Sequence, residues 1–281
     1  MSWNIEVEGG TSVRLPTAGK YCDRDIVVTA TGGGITHDDI AIRNIVGDVV
    51  LSVESLINYA FYGCTQVTAL DAPNVKSAGD YVCYACRAME SLSIPNIETI
   101  GQYAFAQCCE FPSLYAPNLT AMGTGAFGGS ATYKMTAKSI YLPKLTAVPA
   151  SSMTYFVNVT ELVLPELKSI GNSACTNWTN LVHVDLPKCT SIANYGLRNN
   201  GKLATLILRS ETMCALSNYA LNSTKIFDGT GYVYVPSALI ASYQTATNWK
   251  TVYSKNANAF RALEDYTIDG TITGELDPNK I

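Results

Sequence analysis

A repeat with a period of 22 residues runs through the middle of the chain and constrains its fold more than any other feature. A fixed period between about 20 and 50 residues is typical of solenoids, in which each repeat forms one coil and neighbouring coils stack. We therefore predict one elongated repeat domain rather than a globule. The clearest marker of the repeat is a proline after a short apolar run, with spacings of 22, 22, 26, 22 and 22 residues: Pro73, Pro95, Pro117, Pro143, Pro165 and Pro187.

The apolar residues keep the same places in each repeat. The alternation Leu70-x-Ala72 has a period of two, which predicts a short strand with one buried face. The segment 99–105 has apolar residues at helix-like spacing, so we predict a helical or 3₁₀ turn that closes each coil. Stacking would place Leu70, Leu92 and Leu114 on one another, with parallel strands about 4.8 Å apart.

The repeat units resemble the BspA-like leucine-rich repeats of bacteria. The resemblance is carried by Ile100–Cys108, IGQYAFAQC, and by Leu162–Ile170, LVLPELKSI, and it covers roughly residues 45–235. It implies a leucine-rich-repeat solenoid of the α/β class, with short parallel strands along one wall and helical or 3₁₀ turns. It also implies a bacterial protein, and members of the family are often secreted or attached to the surface, some with adhesion or host-protein binding assigned to them.

Residues 1–33 do not follow the repeat. Three segments have strand character, Asn4–Glu8, Ser12–Leu15 and Asp25–Ala30, and glycines separate them. We predict a small N-terminal β module that is too short to fold alone, so it should pack on the end of the solenoid or pair with a partner. The stretches 7–13 and 18–28 resemble N-terminal modules of phage-type structural proteins and of bacterial surface repeat proteins.

The rest of the chain divides at changes in pattern. A shift of 22 residues from Leu70 lands on Asp48, which a full repeat would not bury unpaired. Pro236 opens a helix over about Ser237–Val252 that should cover the last coil. We predict a linker and degenerate capping coil at 34–56, the solenoid of 22-residue repeats at 57–235, a C-terminal capping helix at 236–261 and an acidic tail at 262–281.

The nine cysteines follow the repeat rather than a metal or disulfide pattern. Cys64, Cys86 and Cys108 share one register, so we interpret them as small buried hydrophobic residues. The motif Cys83-x-x-Cys86 lacks a second pair at zinc spacing and a nearby histidine. We therefore predict no metal and no cofactor.

The charge and hydropathy of the chain exclude two classes of partner. The net charge is −4, whereas a nucleic-acid-binding surface needs a basic stripe. The sequence has no run of eighteen apolar residues that would span a membrane. The first ten residues, MSWNIEVEGG, do not have the pattern of a signal peptide. The resemblance nevertheless implies a cell-surface or extracellular location, or a phage particle.

The residues between the buried strand positions should face outward and form the default binding surface. Two tyrosines in one outward column, Tyr115 and Tyr141, should be neighbours, and aromatic pairs suit contacts with proteins or sugars. Glu161, His183 and Asp185 should form a polar cluster beside them. These five residues are the predicted ligand-binding site. The alternatives are plain solvated strand decoration, or a metal site at the three polar residues, whose geometry is weak without a further histidine.

Motifs for catalysis are missing from the sequence. It has two histidines, His37 and His183, and His37 falls in the predicted linker. No nucleophile elbow, phosphate-binding loop or pair of carboxylates suited to acid–base chemistry occurs. We predict that the chain is not an enzyme and has no catalytic residues. The first hypothesis is a binding or adhesion protein that recognises a protein or glycan. The alternative is a structural or display component of a phage-like or cell-surface assembly, anchored by residues 1–33.

Overall fold

The computed structural model describes residues 3–7, 22–23, 26–30, 45–51, 54–108, 110–268 and 271–272. The predicted strand Ser12–Leu15, the residue His37 and the end of the acidic tail lie outside the described residues. The chain forms two compact units, Met1–Leu142 and Pro143–Ile281. Each unit is a stack of coils, and the described strand pairs are parallel except for one short antiparallel pair, Thr267–Ile268 with Thr271–Ile272. The parallel-strand solenoid that the repeat predicted is therefore confirmed.

Each regular coil contributes two short strands, one to each of two sheets. In the first unit the strands are β1 Trp3–Val7, β2 Cys22–Asp23, β3 Ile26–Ala30, β4 Ile45–Leu51, β5 Ser55–Leu56, β6 Gln66–Asp71, β7 Ser77–Ala78, β8 Ser91–Ser93, β9 Thr99–Ile100, β10 Ser113–Tyr115, β11 Ala121–Met122 and β12 Ser139–Tyr141. In the second unit they are β13 Ala147–Val148, β14 Glu161–Val163, β15 Ser169–Ile170, β16 His183–Asp185, β17 Ser191–Ile192, β18 Thr205–Ile207, β19 Ala215–Leu216, β20 Tyr232–Val235, β21 Phe260–Ala262, β22 Thr267–Ile268 and β23 Thr271–Ile272.

In the first unit, the strands follow the order in which the coils stack. The main sheet has the order β1-β3-β4-β6-β8, and Leu70 lies opposite Leu92 as expected. Leu114 was expected opposite Leu92 as well, but among the described strands it pairs with Ile140, in a separate ladder of β10 and β12. The main sheet is thus interrupted between β8 and β10. The second sheet, β5-β7-β9-β11, is continuous there and joins the coils on both sides of the interruption. In the second unit, β14-β16-β18-β20-β21 form the main sheet and β13-β15-β17-β19 the second.

The segments that close the coils are single turns rather than helices. Their hydrogen bonds span three residues, as from the Cys64 N–H to the Phe61 carbonyl at 3.1 Å, which is the 3₁₀ pattern. Two residues per turn have positive φ, such as Tyr59 at 64° and Gly63 at 71°. The Tyr59 N–H then points to the next coil and donates to the Asp80 carbonyl at 2.9 Å. The residues in left-handed conformation thus direct their backbone N–H groups to the neighbouring coil, instead of to a carbonyl of the same turn.

The strand register of the capping coil is one residue away from the register that a uniform shift of 22 residues predicts. The pairing of β4 with β6 is irregular at Gly47, whose φ is 95°, and places Val49 rather than Asp48 opposite Leu70. Val49 is buried, while Asp48 is exposed and accepts a hydrogen bond from Thr68 Oγ1 at 2.6 Å. A bulge therefore turns the carboxylate away from the core.

Strands near the N-terminus extend the main sheet of the first unit. Ile26 of β3 lies opposite Val49 of β4, and Trp3 of β1 lies opposite Ile26, both in parallel. The predicted strands at 4–8 and 25–30 correspond to β1 and β3. Their pairing spacing of 23 residues is close to one repeat.

The C-terminal end of the second unit has two short helices where we predicted one helix over Ser237–Val252. A 3₁₀ turn at Ser237–Leu239 leads into α1, Ile240–Thr245, and α2 covers Trp249–Lys255. The single helix is wrong because the chain leaves helical geometry at Ala246 and adopts a φ of 67° at Asn248. The break lets Asn248 Nδ2 donate to the Leu216 carbonyl at 2.6 Å. It also lets Trp249 Nε1 donate to the Cys214 carbonyl at 2.7 Å.

The core of each unit is a column of equivalent side chains. In the first unit Phe61, Cys83, Phe105 and Phe127 are buried, and the rings of Phe105 and Phe127 stack 5.4 Å apart. The seven cysteines whose side chains the structure describes are all buried thiols. Cysteine and phenylalanine thus occupy the same register because both fill the interior without needing a hydrogen bond.

Candidate functional site

The two tyrosines predicted to be neighbours form a stacked pair on the strand-lined face of the first unit. Tyr115 lies opposite Tyr141, and their rings are 5.2 Å apart at an interplanar angle of 10°. The pleat explains this position, since Leu114 points inward and is buried while Tyr115 is 53% exposed. The pair therefore presents an aromatic surface on which Tyr115 is exposed and Tyr141 is half-buried.

A second tyrosine cluster, which we did not predict, lies on the closing turns of the first unit. Tyr59, Tyr81 and Tyr103 stack with centroids 5.2 Å apart at each step. Tyr62 and Tyr84 form a parallel stack at 5.3 Å. Their spacing of 22 residues in the sequence is the signal that could have revealed the cluster. Because each ring covers its neighbour, these stacks tie adjacent coils together.

The three predicted polar residues come together in the second unit. Glu161 of β14 lies opposite His183 of β16, with 3.7 Å between Glu161 Oε1 and His183 Nε2. Asp185 was expected to face solvent, but it is only 5% exposed. Its carboxylate accepts hydrogen bonds from Arg209, with 2.7 Å from Nη2 and 3.1 Å from Nε. This two-pronged pairing is the geometry that arginine and carboxylate prefer.

A tyrosine from the C-terminal segment covers the polar cluster. The Tyr266 hydroxyl is 3.3 Å from His183 Nδ1, and the two rings stack with centroids 5.8 Å apart. Tyr234 meets the Tyr266 ring edge-on at 4.8 Å. Burial, reinforced by the negative charges of Asp185 and Glu161, raises the pKa of Tyr266 to about 12. The phenol is therefore a neutral hydrogen-bonding group over the physiological pH range.

Sequence reasoning thus found two groups of residues but missed what covers one of them. Arg209 stands where the repeat has its marker proline, 22 residues after Pro187, and this substitution was a usable signal. Tyr266 gave no signal, because it lies 83 residues from the histidine that it contacts.

The chemistry available to these groups is stacking, hydrogen bonding and charge pairing. Within the described parts of the chain, no group of three or more His, Cys, Asp or Glu side chains is arranged to hold a metal ion. Over the same residues, no helix has the length and apolar character needed to cross a membrane.

Among the solved structures that match the chain are the following three. A leucine-rich repeat protein from Bacteroides ovatus matches with a TM-score of 0.52 at 15% identity, over 80% of this chain and 66% of that one. The Pneumococcal vaccine antigen PcpA matches with a TM-score of 0.44 at 10% identity, over 92% and 84%. A leucine rich cell surface protein from Faecalibacterium prausnitzii matches with a TM-score of 0.38 at 14% identity, over 77% and 74%. The Bacteroides structure supports the fold alone.

No curated protein sequence matches the chain. The profile of the BspA type leucine rich repeat region does match, in six copies that cover residues 45–144 and 146–230. These ranges contain the stacked coils and both groups of predicted site residues. The chain therefore belongs to the BspA type leucine rich repeat family.

Proposed function

We propose that the chain is a non-enzymatic binding protein, of the adhesion type, that recognises a protein or glycan through its strand-lined face. The stacked pair Tyr115 and Tyr141 carries this proposal, because two aromatic rings stacked on adjacent strands, one of them 53% exposed, form a rigid aromatic surface of the kind enriched in binding hot spots. Tyrosine also supplies rigid contact area and a hydroxyl at low cost in conformational entropy. The proposed location is the cell surface, the extracellular space or a phage particle.

We also propose that the polar cluster of the second unit, Glu161, His183 and Asp185, contributes to ligand binding. Glu161 and His183 would supply charged and hydrogen-bonding contacts. Asp185 would act through Arg209, because its carboxylate is occupied by that guanidinium. This cluster and the tyrosine pair are proposed as separate contact sites.

A screen of protein and glycan arrays with the intact chain would identify the ligand. We expect Tyr115→Ala and Tyr141→Ala each to weaken capture of that ligand by about 10-fold or more, as for an aromatic hot spot. Tyr219→Ala is the matched control, since Tyr219 is 57% exposed and stacks on Tyr195 in a closing turn. Capture that both strand variants leave unchanged would refute the assignment of the tyrosine pair.

A structural or display role is the second candidate, and the position of β1 favours it. The main sheet of the first unit has β1 at one end of its strand order, paired on one side with β3. A terminal strand offers backbone groups to which another chain can add a strand. Deletion of residues 1–33 tests this role. Loss of assembly with retained ligand capture would support it, and unchanged assembly would argue against it.

A further inference from the structure

The C-terminal segment turns back over the strand-lined face of the second unit. β21 is the last strand of that sheet and pairs with β20. A 3₁₀ turn at Leu263–Asp265 follows, and Tyr266 then reaches His183 on β16. The order β16-β18-β20-β21 means that the segment crosses back over two strands to make this contact.

The place where Tyr266 lies has the features of a preformed binding site. We call this site the tyrosine seat and define it by four residues: His183, Asp185, Arg209 and Tyr234. The Tyr266 ring stacks on the His183 imidazole at an interplanar angle of 27° and makes a T-shaped contact with the Tyr234 ring at 66°. The seat also pairs the hydroxyl with a ring nitrogen. The occupant is only 9% exposed, so ring and hydroxyl are both recognised.

The flanking residues of the segment are held more loosely than Tyr266 itself. Glu264 and Asp265 are exposed, and Glu264 Oε1 accepts a 3.2 Å hydrogen bond from Ser237 in an exposed contact. Exposed hydrogen bonds of this kind add little to stability. Tyr266 is therefore the main anchor of residues 263–266, whereas β21 is held by its pairing with β20. Competition for the seat would release the residues that follow β21.

We propose that the tyrosine seat recognises a tyrosine in an extended segment of a partner protein, with Tyr266 as its occupant until the partner arrives. The resident Tyr266 defines the ligand chemistry, namely a tyrosine side chain held by both its ring and its hydroxyl. A peptide fits the seat better than a glycan, because the walls accept a flat ring and its single hydroxyl. The inference rests on the proposed use of the strand-lined face for binding, but it concerns other residues than Tyr115 and Tyr141.

An occupant within the same chain lowers the apparent affinity for a partner. The seat is available only in the fraction of molecules whose Tyr266 has left it, and the observed dissociation constant rises by the inverse of that fraction. Removal of the Tyr266 side chain should therefore increase partner affinity without adding a contact. This increase distinguishes a covered recognition site from a purely structural packing contact.

The test uses full-length protein and a fluorescent peptide with the sequence of residues 261–268, RALEDYTI. We expect Tyr266→Ala to bind this peptide at least about 10-fold more tightly than the wild-type chain. A control peptide with alanine in place of Tyr266 should not bind. Adding His183→Ala to the Tyr266→Ala chain should reduce binding again by about 10-fold. Equal binding to the wild-type and Tyr266→Ala chains, or of the two peptides, would overturn the proposal.

A measurement on the wild-type chain keeps the proposal testable if Tyr266→Ala does not fold. Excess RALEDYTI should increase hydrogen–deuterium exchange of residues 263–268, while the control peptide should leave it unchanged. No change with either peptide would contradict a replaceable occupant. Concentration-dependent dimerisation of the wild-type chain that Tyr266→Phe weakens would instead assign the seat to a second copy. The tyrosine-pair variants change none of the four residues that define the seat, so failure of the general binding proposal appears separately, in the array screen.

Discussion

Gly125 lies directly against the ring of Tyr103 in the preceding coil, and a β-carbon added at Gly125 would be 2.2 Å from Tyr103 Cε1. Gly125 also has a φ of 67°, in the left-handed region. It continues the register of Tyr59, Tyr81 and Tyr103, so a glycine ends that tyrosine stack. The close approach of backbone to ring is what requires glycine here.

Gly125→Ala should destabilise the first unit by about 2–4 kcal/mol, because it combines a clash with an unfavourable φ. Gly63→Ala is the matched control. Gly63 has a similar φ of 71°, but nothing lies within 4 Å of its added β-carbon, so a cost of about 1 kcal/mol is expected. Urea unfolding of both variants measures the difference. Equal costs would show that the Tyr103 ring moves aside freely.

Loss of the Asp185 carboxylate should destabilise the second unit by about 3–5 kcal/mol, since it leaves the Arg209 charge buried without its partner. The two side chains are 7% and 11% exposed. Glu166→Ala offers a matched comparison, because Glu166 and Lys188 pair at 2.6 Å with side chains 45% and 54% exposed. That variant should change stability by less than about 1 kcal/mol. Similar thermal shifts for Asp185→Ala and Glu166→Ala would contradict the role of burial.

High pH should loosen the C-terminal segment. The pKa of Tyr266 is raised from 10.0 to about 12 in the folded chain. The unfolded state therefore loses this proton first as pH rises, and the stabilising preference for the neutral phenol is lost between about pH 10 and pH 12. Protection of the amides of residues 263–268, measured by hydrogen–deuterium exchange relative to their intrinsic base-catalysed exchange rates, should fall over this window. In Tyr266→Phe, whose side chain cannot ionise, the loss of protection should occur at higher pH. Identical pH profiles for the variant and the wild-type chain would contradict the role of Tyr266 ionisation.

The buried thiols should be unreactive in the native protein. Burial raises the pKa of Cys175 to about 12, which removes the reactive thiolate at neutral pH. We expect iodoacetamide to label the described cysteines at least about 100-fold more slowly without urea than with it, because burial keeps the reagent away from every one of these thiols. Mass spectrometry of the labelled peptides separates each site. Rapid native labelling of Cys175 would show that its coil opens readily.

Much of the fold could be predicted from the sequence because the repeat is a local pattern with a local cause. Leu70 and Leu92 sit at the same point of successive coils, and neither can be buried unless the coils stack. The same reasoning placed Tyr115 beside Tyr141, since equal register in adjacent parallel strands means contact. The same reasoning gave the wrong register at Asp48, where a bulge shifts the strand by one residue. It also gave one capping helix instead of two, because the chain leaves helical geometry before Asn248.

The sequence by itself determined the stack of coils, the inward and outward faces of its strands, and the pairing of residues one repeat apart, because period and pleat are properties of neighbouring residues. Only the tertiary structure decided that Asp185 is buried against Arg209 and that Tyr266 covers His183. The second of these contacts joins residues 83 positions apart outside the repeat register. It depends on the path that the chain takes after its last strand, and no periodic pattern encodes that path.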